Sequence, residues 1–294
     1  MKQYKMICFG EVLWDMLPTG KMPGGAPMNV GFHLNKFDFQ TSIISRIGTD
    51  DLGNEILSFM NKSGLNTEFV QRGQTHLTGV VKVNLDDSNE VSYKIVQPVA
   101  WDYIKVDPKV LDSVKKCDAF VFGTLAARSE ETLHTLKEYL KIAPFKVLDV
   151  NLRPPYYNQE TLSYLLDKAD VVKMNHHELE EISAWYFEAT STNQRIEMLS
   201  KTFDIPTICV TLGADGALLF TKGKFTQCSG IPVEVVDTIG SGDSFLAALI
   251  KGLIQKQDET ECLNFACATG AYVATQKGAT PIISETQIKA WAKP

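Results

Sequence analysis

Short apolar runs alternate with longer amphipathic stretches along most of this chain. Residues 5–9 and 41–45 are brief, β-prone runs, each closed by a glycine-containing turn. A helical spacing follows at about 51–62. From residue 106 the alternation becomes regular. It predicts helix 108–116, strand 119–123, helix 129–140, strand 146–149, helix 159–168, strand 171–174, helices 178–187 and 192–203, and strand 207–211. Strand and helix in turn imply a mostly parallel sheet wrapped by helices, with ligands bound beyond the carboxyl ends of the strands. Two regions break this rhythm. Residues 12–18 read as a second strand directly after the first, and 69–70, 78–85 and 91–96 alternate apolar and polar positions with no helix between them. Asp86-Asp87-Ser88-Asn89-Glu90 reads as a hairpin turn. The expectation is one α/β domain over 1–294, with a small separate sheet drawn from about 12–22 and 66–100.

Near the C-terminus, 231–236 reads as a strand and 245–253 as a helix, joined by Asp237-Thr238-Ile239-Gly240-Ser241-Gly242-Asp243-Ser244. Two glycines let the backbone turn sharply and aim successive N–H groups at one point. A helix N-terminus behind them adds partial positive charge, which makes an anion hole. Asp243 then places a carboxylate beside the anion. Phosphoryl transfer to a hydroxyl needs both: donors for the moving charge and a base for the hydroxyl proton. A plain helix cap by Asp243 or Ser244 uses the same residues. A second glycine turn, Pro23-Gly24-Gly25-Ala26-Pro27-Met28-Asn29, runs into a helix and puts Asn29 in its first turn. Asp15 lies among apolar neighbours, as either an exposed turn residue or a buried acceptor.

Bulk properties narrow the classes. The chain has 294 residues and a net charge of −6 with no basic block, which argues against nucleic acid. No charged start followed by an apolar core is seen, and no apolar run reaches the length of a membrane span. Six cysteines are scattered without a Cys-x-x-Cys pair, as in reduced thiols of a cytoplasmic protein. Cys262 and Cys267 are five apart and share no helix face well. There is no P-loop and no Gly-x-Gly-x-x-Gly after the first strand, so a nicotinamide enzyme is disfavoured.

The string Asp237-Thr-x-Gly-x-Gly-Asp243-x-Phe245 resembles the C-terminal signature of the ribokinase-like (PfkB) sugar kinases, with Ser241 where Ala is usual. Gly24-Gly25-Ala-Pro-x-Asn29-Val resembles the N-terminal signature of the same family. Asp149-x-Asn-x-Arg153-Pro-Pro, with Pro98-Val-Ala-Trp101-Asp102, resembles its fructokinase branch.

This resemblance implies a ribokinase-like fold in which the small sheet is a lid over the sugar. It also implies ATP-dependent phosphorylation of a terminal hydroxyl, with fructose as the first candidate. Asp243 would act as base, and Gly240, Ser241 and Gly242 as anion donors. Asp15, Gly24, Gly25 and Asn29 would orient the sugar. Asn175 and Glu178, in Asn-x-x-Glu, would order Mg²⁺ and its waters, although Asn at a helix start with Glu three on is also a capping box. Thr211, Gly213 and Gly216 would line the nucleotide, and Gly278 would border adenine. Asp237 would help to hold a monovalent cation such as K⁺. Trp101 either closes over the sugar or sits in the core. Arg153 either meets a substrate oxygen or forms a loop salt bridge. His176 and His177 read as surface residues with no third metal ligand. Some relatives pair two copies through the lid. The alternatives are a 2-keto-3-deoxygluconate kinase, with Arg153 or Arg128 clamping the carboxylate, and a catalytically idle sugar or nucleotide sensor.

Overall fold

The structure, a computed structural model, describes residues 2–18, 20–85 and 91–292. The hairpin turn expected at 86–90 lies outside the described residues. In chain order the elements are β1 (Lys5–Phe9), β2 (Leu13–Leu17), β3 (Gly20–Gly24), α1 (Ala26–Lys36), β4 (Gln40–Gly48), α2 (Asp51–Lys62), β5 (Val70–Gly73), β6 (Gly79–Leu85) and β7 (Val91–Ile95). Then come α3 (Pro108–Lys116), β8 (Ala119–Gly123), α4 (Glu130–Leu140), β9 (Lys146–Asp149), α5 (Gln159–Lys168), β10 (Val171–Asn175), α6 (His176–Ala184), α7 (Thr192–Phe203) and β11 (Thr207–Thr211). The chain closes with β12 (Ala217–Thr221), β13 (Lys224–Cys228), α8 (Ser241–Ile254), α9 (Glu259–Ala274) and α10 (Glu285–Trp291).

Nine strands form the main sheet in the order β13-β12-β11-β10-β9-β8-β1-β4-β5. It is parallel from β5 to β11, and β12 and β13 run antiparallel at one edge. Alternate residues of one strand feed two cores. On β8, Phe120 and Phe122 face the core shared with α3, α4 and α5, while Ala119 and Val121 face the core shared with α1, α8 and α9. Burial on both faces explains why these strands read as continuous apolar runs. Helix α8 is apolar on nearly every side, and Leu246 through Ile250 are fully buried. Such a helix is central rather than amphipathic.

The ribokinase-like architecture is present: a large, mostly parallel sheet with helices and a small separate sheet ordered β3-β2-β6-β7. Two expectations change. Residues 69–70, expected in the small sheet, lead into β5, which pairs with β4 in the main sheet. Where the small sheet ends, residues 100–103 form a short 3-10 turn. The run 231–236 is not a strand, because no neighbour offers it a ladder. The amides of Val236 and Asp237 bond instead to Ala274 O at the end of α9, and Val235 and Val236 stay exposed. Among the described residues, no helix is long and apolar enough to cross a membrane.

Candidate active site

The start of α8 defines the site. Gly240 is its N-cap with φ +78°, a left-handed conformation suited to glycine. A Cβ at Gly240 would also strike the Ala279 backbone. The helix begins at Ser241, four residues earlier than the apolar run at 245–253, so Ser241, Gly242 and Asp243 occupy its first turn. Apolar periodicity begins only at Phe245, which hid the true start. Among the described residues, the amides of Gly242 and Asp243 meet no acceptor, whereas that of Ser241 bonds to Thr238 O at 3.2 Å. Of the three donors expected, Gly240 and Gly242 keep free amides among the described residues, and only Ser241 is engaged. Ser241 Oγ donates to Gly270 O on α9 at 3.0 Å.

Asp243 Oδ2 accepts from Asn29 Nδ2 at 2.8 Å. Burial, then the charge of Asp149, pushes its carboxyl up to about 6, against the pull of Asn29, Lys173 and Arg153. A carboxyl near that value is ionised at neutral pH and still basic enough to take a proton.

Asn29 stands in the first turn of α1, which opens on Ala26 with Pro27 second. Gly24 ends β3 and lies directly against the Asp15 carboxylate, where any Cβ would collide. Gly25 has φ +110° and faces the Glu11 carbonyl at similar closeness. Asp15 is on β2 opposite Met22, and burial pushes it up to about 6, opposed by Arg153. Arg153 is exposed and bonds within the protein to Leu152 O at 3.0 Å. It acts electrostatically on Glu11, Asp15 and Asp243 alike.

Asn175 and Glu178 do form the capping box. Asn175 Oδ1 accepts from the Glu178 amide at 2.9 Å, and Glu178 Oε2 accepts from the Asn175 amide at 2.8 Å. Glu178 Oε1 accepts from Leu152 N at 2.8 Å. With both oxygens so engaged, Glu178 fits a Mg²⁺ reached through water. No group of three His, Cys, Asp or Glu at metal spacing exists among the described residues. The rings of His176 and His177 lie against each other, tilted by 41° with centroids 3.7 Å apart.

Thr211 ends β11 and pairs with Ala217. Gly213 has φ +61° and open space on its Cβ side. Gly216 differs: the 228–230 backbone fills its Cβ side, so its role is to let that hairpin close. Asp237 joins two loops, accepting from Ile239 N at 2.9 Å and Gly278 N at 3.0 Å. Gly278 lies under Met22, which carries β3 of the small sheet over this loop.

Trp101 is fully buried and stacks on the Arg128 guanidinium at 3.8 Å, which makes it a core residue. Arg128 is committed as well. Its Nε meets Asp102 Oδ1 at 2.7 Å and its Nη2 meets Asp102 Oδ2 at 2.9 Å. A guanidinium neutralised this way is a poor clamp for a substrate carboxylate.

Glu11, Lys173 and His33 escaped the sequence reading. Glu11 is 3% exposed, has an Oε2 without a partner among the described residues, and is pushed by burial up to about 7. Lys173 bonds to Asp149 at 3.0 Å inside the sheet. His33 is fully buried with Nε2 bonded to Ala279 O at 2.8 Å, and burial draws it down to about 4. The signal available for Lys173 was a charge inside an otherwise apolar central strand, where both faces are buried.

The overall shape and the sequence have close counterparts. The chain is 27% identical to a probable fructokinase-3 of Arabidopsis thaliana, over 95% of this chain and 88% of that protein. It is 27% identical to a fructokinase of Vibrio alginolyticus, over 95% of this chain and 96% of that one. A fructokinase double mutant from Vibrio cholerae O395, solved with fructose, ADP and potassium ion, has a TM-score of 0.87 at 23% identity and covers 99% of both chains. Aminoimidazole riboside kinase from Salmonella enterica has a TM-score of 0.81 at 24% identity, over 98% of this chain and all of that one. At these identities the solved structures speak for the fold. The family model described as "pfkB family carbohydrate kinase" matches residues 2–286, a span that holds both glycine turns and the carboxylate between them, and the chain belongs to that family of carbohydrate kinases.

Proposed function

We propose that this kinase transfers the γ-phosphoryl group of ATP to the terminal hydroxyl of fructose. The observation that carries the reading is the placement of Asp243, held by Asn29 beside the free amides at the start of α8. Curated fructokinases of plants and Vibrio that match nearly the whole chain support fructose as the sugar. Asp15, Gly24, Gly25 and Asn29 hold the sugar, the glycines by allowing close approach. Asp243 takes the hydroxyl proton as the sugar oxygen bonds to γ-phosphorus and the bond to the ADP oxygen breaks. The Gly242 and Asp243 amides, with the Gly240 turn, face the charge on the moving group. Mg²⁺, when bound, screens the phosphate charge. Asn175 and Glu178 orient its waters. Thr211 and Gly213 line the nucleotide. Asp237 braces loops whose carbonyls suit K⁺.

We read the chain as one catalytic domain, with the small sheet as a lid that excludes water. Exposed Met16 and Leu77 on or beside that sheet support pairing of two copies through it. Six free buried cysteines support a cytoplasmic setting. Arg153, exposed and, among the described residues, bonded only to a backbone carbonyl, favours 2-keto-3-deoxygluconate as the second substrate candidate. The test is ATP consumption with Mg²⁺ and K⁺ against fructose, ribose, 2-keto-3-deoxygluconate, tagatose, glucose and adenosine. Preference for fructose is the expected result. Turnover only with the acid sugar moves the reading to that kinase, with Arg153 as the clamp. Sedimentation of the purified protein tests the pairing.

A further inference from the structure

Lys173 is the middle residue of β10, near the centre of the nine-stranded sheet, and it is 7% exposed. Burying an ammonium costs free energy that one carboxylate partner barely offsets, so an apolar residue would serve the sheet as well. Two contacts fix its position. Nζ donates to Asp149 Oδ1 at 3.0 Å, across the register pair that joins β10 to β9. The same Nζ lies 3.1 Å from the point where a Cβ on Gly242 would stand. Gly242 thus admits the ammonium to the first turn of α8.

For a cation that is the less favourable end of a helix, since the N-terminus already carries partial positive charge. The placement becomes favourable when an anion arrives on the other side of the turn. The only side-chain bond of the ammonium among the described residues is the one to Asp149 Oδ1, and Asp149 Oδ2 is buried without a partner, so the fold leaves the pair incompletely satisfied.

We propose that Lys173 is a positioning residue for phosphoryl transfer: Asp149 holds its ammonium behind Gly242 as a fixed positive charge on which the anion hole draws while the γ-phosphoryl group moves. This rests on the kinase reading and adds a residue to it. As the bond from γ-phosphorus to the ADP oxygen breaks and the bond to the sugar oxygen forms, the proton passes to Asp243. The three equatorial oxygens keep their negative charge throughout. A charge already in place at that moment needs no reorganisation.

The test compares wild type, K173M and K173M/D149N. The double variant leaves no unpaired buried charge, so it remains readable where K173M alone does not fold. Calorimetry with MgADP, and with MgADP plus aluminium fluoride as a mimic of the moving phosphoryl group, reads binding without turnover. Steady-state kinetics with fructose and ATP reads kcat and KM separately. We expect kcat to fall by roughly 10²-fold, with both KM values within about threefold of wild type. The aluminium fluoride complex should weaken by about tenfold or more in both variants, with MgADP affinity unchanged. Unaltered aluminium fluoride binding overturns the proposal. So does recovery of wild-type kcat in the double variant, which would make Lys173 only a counter-ion to Asp149. If wild type itself binds no MgADP, the kinase reading falls and takes this inference with it.

Discussion

Asn29 and Asp243 lie 214 positions apart and meet through one hydrogen bond, Nδ2 to Oδ2, at 2.8 Å. Each stands in the first turn of its helix, α1 or α8, just after a glycine turn. The bond therefore brings the two turns to one point. Asn29 Oδ1 is buried and has no partner among the described residues, which leaves it available to a sugar hydroxyl. One side chain can thus orient the acceptor and hold the base that deprotonates it.

Asn29→Ala should lower kcat/KM by roughly 10- to 100-fold, since a hydrogen bond to a charged group is worth about 1.5–3 kcal/mol. The bond favours the ionised form of Asp243. Its loss should also move the acid limb of the pH–rate profile upward. A profile that keeps its midpoint while the rate falls would separate Asn29 from the base.

Asp243 is pushed up to about 6, chiefly by burial, and a base works only when ionised. Turnover should be level above that pH and fall about tenfold per unit below it. Asp243→Asn should lower kcat by roughly 10²–10⁴-fold and remove that limb. Stability should not suffer. A carboxyl raised in the fold stabilises below its unfolded pKa and loses that contribution as pH rises through about 6, so at pH 8 the substitution removes an unfavourable charge. Near wild-type turnover in this variant would sink the mechanism.

Much of this site was legible because its chemistry sits where the chain changes element. The glycine turns before α1 and α8, and Asn175-x-x-Glu178 at the end of β10, are local patterns set by backbone geometry. The alternation after residue 106 was legible because parallel strands and amphipathic helices have different periods. What stayed hidden depends on contact across the fold. Glu11 looks like a loop residue until Gly25 packs on its carbonyl. Lys173 looks like a surface charge until β9 and β11 flank it. The run 231–236 has strand composition, but pairing needs a free neighbouring edge, and α9 caps its amides instead.

Gly240→Ala tests the turn. The left-handed backbone costs a residue with a Cβ about 1–3 kcal/mol, and the Ala279 backbone stands in its way. Because Ala279 also holds His33, the strain should spread into α1. Lower Tm and a severe loss of kcat are expected together. Ser241→Ala is the contrast. It loses the bond from Oγ to Gly270 O, worth about 0.5–1.5 kcal/mol, and leaves the turn intact. Its kcat should stay within about threefold of wild type, and a collapse there would show that Ser241 Oγ takes part in the reaction.

Glu11→Gln should stabilise the protein at high pH and change little at low pH. Glu11 is buried beside Asp243, its Oε2 has no partner among the described residues, and burial pushes its carboxyl up to about 7 from 4.5. Below 4.5 the group is neutral in both folded and unfolded chains. Between 4.5 and 7 the unfolded chain gives up its proton while the folded one keeps it, so stability declines as pH rises. Above 7 the full cost applies, on the order of 3 kcal/mol. Glutamine has the same shape and never ionises, so it escapes that cost. Thermal scans of both proteins should nearly coincide at pH 5 and separate by several degrees at pH 8, the variant melting higher. The same difference at both pH values would show that Glu11 matters through packing, and its charge would then play no part in stability.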